Sequence, residues 1–534
     1  MKNINRKFKY ILPVAAMSLA LGFSSCVKDL DTVPLDEKEL VADVVFGSQI
    51  DAYESNLAKI YAGLAIGGNS GGDSDQDVVG IDGGSQASFL RVMWNMQELA
   101  SDIAHCCWND AGIPDFNNLT WTSSSPFLKG YYFRLFYEIN LCNSFLKETT
   151  AEELSGKGCS EQDIAVINNF RGEAKFIRAL MYMYALDFFR NVPFVTEENK
   201  LGENPEQIQA KDLYDFVEKQ LLESAEEMAD PKPGFSDSYG HANKAAAWAA
   251  LSRLYLNAKV YTGVEKYTEC ITYCQKIIDA GYKLEPVYGD MFRADNDQSL
   301  EMIMPVRYEG DQTMTWGGMT AILCWGSEKY TTETNAKGGW NGVRAKSSFL
   351  DVFEREENHE SDQRMAMLRL DGTTSSEIKD EATFKNNGIP VTKFYNVYKD
   401  GTLPPSAEAY VDFPLFRLGE IYLNIAEALL RTNNEVDALK YINALHERAG
   451  IQSPIDALTL DYLLDERGRE TFYEAQRRTD LIRFDKYTSG YNWPWKGGVA
   501  EGKDVPAYYS VYPIPSDEIG SNLNLKQNDG YSAK

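Results

Sequence analysis

The stretch 413–450, FPLFRLGEIYLNIAEALLRTNNEVDALKYINALHERAG, constrains the fold of this chain most. Leu415, Leu418, Ile421, Tyr422, Ile425 and Leu429 recur every three or four residues, which places them on one face of a helix. Thr432, Asn433 and Asn434 interrupt that spacing. Val436, Leu439, Ile442 and Leu445 then open a second stripe, and Gly450 stands where a left-handed C-cap is expected. Two antiparallel helices joined by a short polar turn, in a unit of about 34 residues, have the tetratricopeptide format. One pair cannot bury both of its apolar faces, so the chain must supply neighbours of the same kind.

Those neighbours are legible. Helical spacing predicts elements over 48–65, 131–147, 163–189, 211–228, 241–259, 264–280 and 461–487. The Ala-rich run HANKAAAWAALSRLYLNAK would let a following helix approach closely, and the Arg residues of 461–487 have carboxylates to pair with. The expected fold class is mainly α: a tetratricopeptide-like helix-pair scaffold at 131–284 and 413–490, with long loop-rich insertions, in a single domain spanning 41–534. Two stretches, 66–130 and 285–412, show little helical period. Long irregular segments inside a helical domain are uncommon and often carry function, so they are the expected ligand-face loops.

The first residues read as a targeting segment. Lys2, Arg6, Lys7 and Lys9 precede the apolar run ILPVAAMSLALG, which is too short to span a bilayer. The run ends in Phe23-Ser24-Ser25-Cys26, which resembles the lipobox of bacterial lipoproteins; the alternative is an ordinary secretory signal with an incidental Cys. By that resemblance 1–25 is a signal peptide, Cys26 is the acylated first residue after cleavage, and 26–40 is a tether carrying the acidic sorting segment Val27-Lys28-Asp29-Leu30-Asp31. The other seven Cys are odd in number and irregularly spaced, which is not a disulfide framework; Cys270 and Cys274 read as buried packing residues.

Composition narrows function. A net charge of −26 argues against nucleic acid, whose phosphates need clustered Lys and Arg. With only four His, a His-rich metal centre or a Ser-His-Asp triad is poorly supplied. No phosphate-cradling Gly-Lys-Ser/Thr loop, Gly-x-Ser-x-Gly elbow or His-Glu-x-x-His is present, and no carboxylate pair stands in a recognisable catalytic context. No cofactor is implied. His105-Cys106-Cys107 could suggest a metal, but adjacent Cys give one ion poor geometry, and packing is the favoured reading. Asp295-Asn296-Asp297 offers oxygen ligands for calcium without the spacing of an EF-hand, and a polar turn is the favoured reading.

Aromatics are the positive signal, with 31 Tyr, 25 Phe and 9 Trp. In 314–344 three Trp stand among Gly: Thr315-Trp316-Gly317-Gly318, Cys324-Trp325-Gly326 and Gly338-Gly339-Trp340-Asn341-Gly342. Gly gives a ring nothing to pack against but lets the backbone set it at a surface. Sugar rings stack their C–H faces on such aromatics while their hydroxyls reach polar groups at the edge. Pinning of a long loop is the other reading, and spacing alone leaves both open.

The chain resembles the SusD/RagB family of nutrient-binding outer-membrane lipoproteins. The resemblance is carried by the lipobox with Asp29 and Asp31, by Arg171–Leu180 continuing to Asp187-Phe-Phe-Arg-Asn-Val-Pro193, by Phe413–Glu427, by Arg467–Phe484 and by Tyr512–Gly530. It implies a tetratricopeptide-like protein at the cell surface that presents oligosaccharide to a TonB-dependent outer-membrane transporter and catalyses nothing. The match is strongest to starch-binding members, through Leu99–Asp102, Trp121–Ser125, Trp316–Gly318, Gly339–Asn341 and Asn492–Gly498. Carried over by resemblance, Trp108, Trp316 and Trp340 form an aromatic arc for an α-glucan (starch or maltooligosaccharide), with Arg91 and Asn109 as hydrogen-bond donors. Trp316 stands where a Tyr is usual. A one-residue deletion after Trp108 leaves the amide role to Asn109, or lost at Asp110. The same scaffold with another glycan or a peptide, and a helical glycoside hydrolase, are the competing readings.

Overall fold

Helical pairs stack in chain order through the computed structural model, which describes residues 46–532 apart from 69–75, 83, 201 and 372. The signal segment 1–25, the lipidation site Cys26 and the tether 26–40 lie outside the described residues. Helix α1 (Ile50–Ala65) is followed by the short α2 (Phe89–Trp94), which runs on through a π turn at Asn95–Leu99, and by strand β1 (Ala104–Cys106). Then come α3 (Pro126–Glu148), α4 (Glu161–Phe189), α5 (Ala210–Glu227), α6 (Lys244–Leu256) and α7 (Tyr267–Asp279). The long insertion carries β2 (Met302–Val306) and β3 (Val343–Ala345). Strand β4 (Phe413–Arg417) leads back to the scaffold, formed there by α8 (Leu418–Arg431), α9 (Glu435–Ala449), α10 (Leu460–Thr471) and α11 (Arg477–Arg483).

Each of α3 to α7 packs on the next, and α7 packs on α8 although the whole insertion lies between them in sequence. Stacking buries the apolar stripes that no single pair could bury. Ala245, Ala246, Ala247, Ala249 and Ala250 are all buried on α6, where their small side chains admit α5 and α7. Cys270 and Cys274 are buried on α7, as read from their spacing. Polar caps set the helix starts: the Ser160 hydroxyl accepts from the Asp163 amide at 3.1 Å, and Asn434 caps α9. Gly450, at φ 88°, ends α9 in the left-handed conformation expected there.

Three expectations change. Leu415 is buried but lies on β4, not on a helix; β4 pairs antiparallel with β2, and a short apolar run is ambiguous between the two periods. Val436 is 74% exposed, and Ala438, Ile442 and Leu445 form the inner face of α9. Six residues before Ile442, Val436 sits about 120° off that face. Within the stretches read as loop, Phe89–Leu99 is buried helix, and 285–412 contains helices at Met319–Cys324 and Ser347–Glu354.

A buried ionic network fastens the insertion to the scaffold. Arg417 reaches Glu301 at 2.7 Å, Glu470 at 2.6 Å and Glu474 at 2.6 Å. Arg364 binds Asp362, Glu466 and Glu470, and Lys393 binds Glu474. Burial pushes the Glu470 carboxyl up, but Arg448, Arg417 and Arg364 outweigh it and hold it at about 2. The charges compensate one another with oriented hydrogen bonds, the condition under which such groups are tolerated in a core.

Candidate functional site

Pairing of β1 with β3 builds the site. The strands run antiparallel with His105 opposite Arg344 and Cys106 opposite Val343, so the chain just after β1 meets the chain just before β3. Trp108 and Trp340 are thereby brought together from distant parts of the sequence. The Cys107 amide donates to the Gly342 carbonyl at 2.9 Å. On the far side, the amides of Trp340, Asn341 and Val343 donate to the carbonyls of Cys324, Gly326 and Trp325 at 2.5, 2.9 and 3.2 Å. The loops are therefore pinned by backbone bonds, leaving the rings on top of them partly exposed.

The three indoles form a continuous row. Trp340 lies 5.8 Å from Trp108 and 5.6 Å from Trp316 between ring centroids, with interplanar angles of 51° and 47°. Successive tilts of this size mean that the row is not one flat plate. Gly342 is required by its closeness, and Gly317 by the approach of the Trp316 loop to the start of α2. A Cβ on Gly342 would lie 1.9 Å from the Trp108 ring, and one on Gly317 would lie 2.3 Å from the Ser88 side chain. At Gly317 the Trp316 loop is stitched to the start of α2: its carbonyl accepts from the Arg91 amide at 3.0 Å and from the Ser88 hydroxyl.

Beneath the row is a second tier. Trp325 is buried, edge-on to Trp108 at 6.4 Å and 4.7 Å from Trp94. Of the two Trp among Gly in 324–342, Trp340 therefore faces outward and Trp325 packs inward. Arg91 is 7% exposed, with its guanidinium 5.8 Å from the Trp108 ring and 5.8 Å from the Trp325 ring. This is cation–π support from below. Asn109 and Asp110 are exposed beside Trp108. Lys337, paired with Glu408, holds its ammonium 5.4 Å from the Trp316 ring. Neither residue carries a sequence signal, because they meet only when the loop at 335–342 folds over 406–409.

The remaining candidates fall elsewhere. His105 is buried between Phe384 and Trp495; burial, then Lys346, pushes its pKa down to about 3, so it is neutral. Cys106 and Cys107 are successive residues at the end of a strand, where neighbouring side chains point to opposite faces, and burial pushes the Cys106 thiol up to about 12. Asp295 accepts from the Lys399 amide at 3.0 Å, and the buried Asn296 donates to the carbonyls of Met291 and Asp412. That triplet is a polar turn tying the insertion to β4. Among the described residues no helix is long and apolar enough to cross a membrane.

The chain is similar to known proteins in sequence and in fold. A model described as the SusD family matches residues 300–531. The chain is 32% identical to the starch-binding protein SusD of Bacteroides thetaiotaomicron, over 98% of this chain and 100% of that one. A SusD superfamily protein from Bacteroides vulgatus superposes with a TM-score of 0.69 at 19% identity, covering 91% of this chain and 100% of that one. Surface glycan-binding protein A from Bacteroides thetaiotaomicron, solved in complex with laminarihexaose, gives 0.69 at 20% identity over 90% and 99%.

Proposed function

Since the chain belongs to the SusD family, we propose that it is a cell-surface protein that captures α-glucan, starch or maltooligosaccharide, on Trp108, Trp340 and Trp316. As a member of that family the chain is a binding protein and not a glycoside hydrolase or other enzyme. What carries the reading is the row itself: three indoles from three separate segments meet, partly exposed, with tilts of 51° and 47°. A helical glucan presents a curved outer surface, and a row of inclined rings offers successive residues a face each. Asn109 and Arg91 are the hydrogen-bond donors of this reading, Asn109 at the exposed edge, and Arg91 also stiffens Trp108 while adding positive charge behind it. The full-length relative is named for starch binding, which supports the same ligand.

The proposed setting follows the family resemblance: an acyl anchor on Cys26 at the outer membrane, and hand-off of bound oligosaccharide to a TonB-dependent transporter. A second reading, the same scaffold with a β-glucan, is favoured by the fold neighbour that holds laminarihexaose. Calorimetric titration of the protein with maltoheptaose and with laminarihexaose separates the two. Binding of maltoheptaose alone is the expected outcome; binding of laminarihexaose alone would overturn the α-glucan assignment.

A further inference from the structure

Arg344 differs from the buried arginines of the ionic network. It is 4% exposed, its guanidinium lies 5.0 Å from the Phe384 ring, and its Nη1 donates to the Val343 carbonyl at 3.0 Å. Among the described residues it forms no ion pair with a carboxylate, whereas Arg364, Arg417 and Arg448 each hold at least two. A buried cation without a counter-charge is costly, so its remaining hydrogen bond carries much of the compensation. That bond runs from Nη2 to the side-chain oxygen of Asn341.

Asn341 stands in the chain between one ring of the row and the glycine that seats another. It follows Trp340 directly, and the next residue, Gly342, is the one against which the Trp108 ring packs. Its amide is fixed to the Gly326 carbonyl at 2.9 Å, and its carbonyl lies 3.9 Å from the Cys107 thiol. At φ 54° it occupies the left-handed region, which Asn tolerates better than most residues. Its side chain is exposed. Guanidinium only donates, so the bond from Arg344 identifies Oδ1 as the held end and turns the Nδ2 protons away from Arg344. A cation on the carbonyl end also polarises the carboxamide and strengthens its N–H groups as donors.

We propose that Asn341 is a hydrogen-bond donor of the saccharide site, addressing a sugar hydroxyl between Trp340 and Trp108, and that Arg344 is its positioning residue. This rests on the reading of the aromatic row given above and adds a specificity element to it. The test uses maltoheptaose and a set of its monodeoxy derivatives against wild type, Asn341→Gly, Arg344→Met and Trp340→Ala. Glycine keeps the left-handed backbone, so Asn341→Gly removes the carboxamide with the loop conformation retained, checked by its melting temperature.

The expected result is that Asn341→Gly and Arg344→Met each weaken maltoheptaose binding about fivefold. Combining them weakens it little further, since both act through one carboxamide. Wild type discriminates against one monodeoxy derivative, and Asn341→Gly is indifferent to it, which a merely structural residue would not produce. Wild-type affinity and unchanged hydroxyl discrimination in Asn341→Gly, with Trp340→Ala disabled, would overturn the inference and leave the reading of the row intact. Full binding by Trp340→Ala, or no maltoheptaose binding by wild type, overturns both.

Discussion

Trp340→Ala probes the centre of the row. Trp340 is the only one of the three surface indoles in contact with both others, at 5.8 and 5.6 Å. Its removal splits a continuous surface into two isolated rings and takes away one of three stacking faces. Truncating a central aromatic anchor costs about 2 kcal/mol or more of binding. At about 1.4 kcal/mol per decade, that is roughly a 30-fold rise in the Kd for maltoheptaose. The stability cost is of a different kind. Two ring–ring contacts of about 0.5–1.5 kcal/mol each are lost, but the backbone bond from residue 340 to the Cys324 carbonyl is kept, and the helical core is untouched. The melting temperature therefore falls by only a few degrees. Calorimetry on the purified variant, paired with thermal unfolding, reads both quantities. A Kd within twofold of wild type would refute the assignment of the row as the binding surface. Loss of the folded state would refute the claim that Trp340 is a surface ring on a pinned loop.

Other outcomes follow from the same geometry. Gly342→Ala sets a Cβ 1.9 Å from the Trp108 ring, so the ring must shift; we expect about tenfold weaker maltoheptaose binding with a melting temperature close to wild type, seen by calorimetry and near-ultraviolet circular dichroism. Glu470→Gln leaves Arg448, Arg417 and Arg364 short of a counter-charge and costs about 3–5 kcal/mol at neutral pH in urea unfolding. Because the folded carboxyl is held at about 2, below its ordinary value, that advantage of wild type is present above pH about 4.5 and is lost as pH falls through about 2. Glu98 has the opposite sign: burial raises it to about 8, so its contribution is fully present below pH about 4.5 and is lost as pH rises through 8. Glu98→Gln should therefore unfold less readily than wild type at pH 9, relative to their difference at pH 5, in paired urea titrations.

Much of the scaffold was legible because a helix writes its burial into the sequence at a fixed interval. The stripe from Leu418 to Leu429, the Ala run of α6, the paired cysteines of α7 and the stop at Gly450 are local facts, readable wherever a face is buried along one element. A short apolar run, or one residue in the first turn of a helix, does not show the interval clearly enough to fix its face. Leu415 belongs to a strand, and Val436 sits in the first turn of α9 on the wrong side of the helix.

In the site, the residue types were visible from composition and spacing, whereas the meeting of Trp108, Trp316 and Trp340 was legible only through the family resemblance. Trp beside Gly marked Trp316 and Trp340 as rings set by backbone, yet the same pattern at Trp325 describes a buried ring under Trp108. The spacing of Trp and Gly does not by itself separate the outward Trp from the inward one. The difference lies in strand register, which places residues beyond the ends of β1 and β3 face to face. Arg344 with Asn341 and Lys337 with Glu408 are likewise products of that assembly. Periodicity determines what each element buries; contacts between segments far apart in the chain depend on how those elements close on one another, and only the tertiary structure decides that.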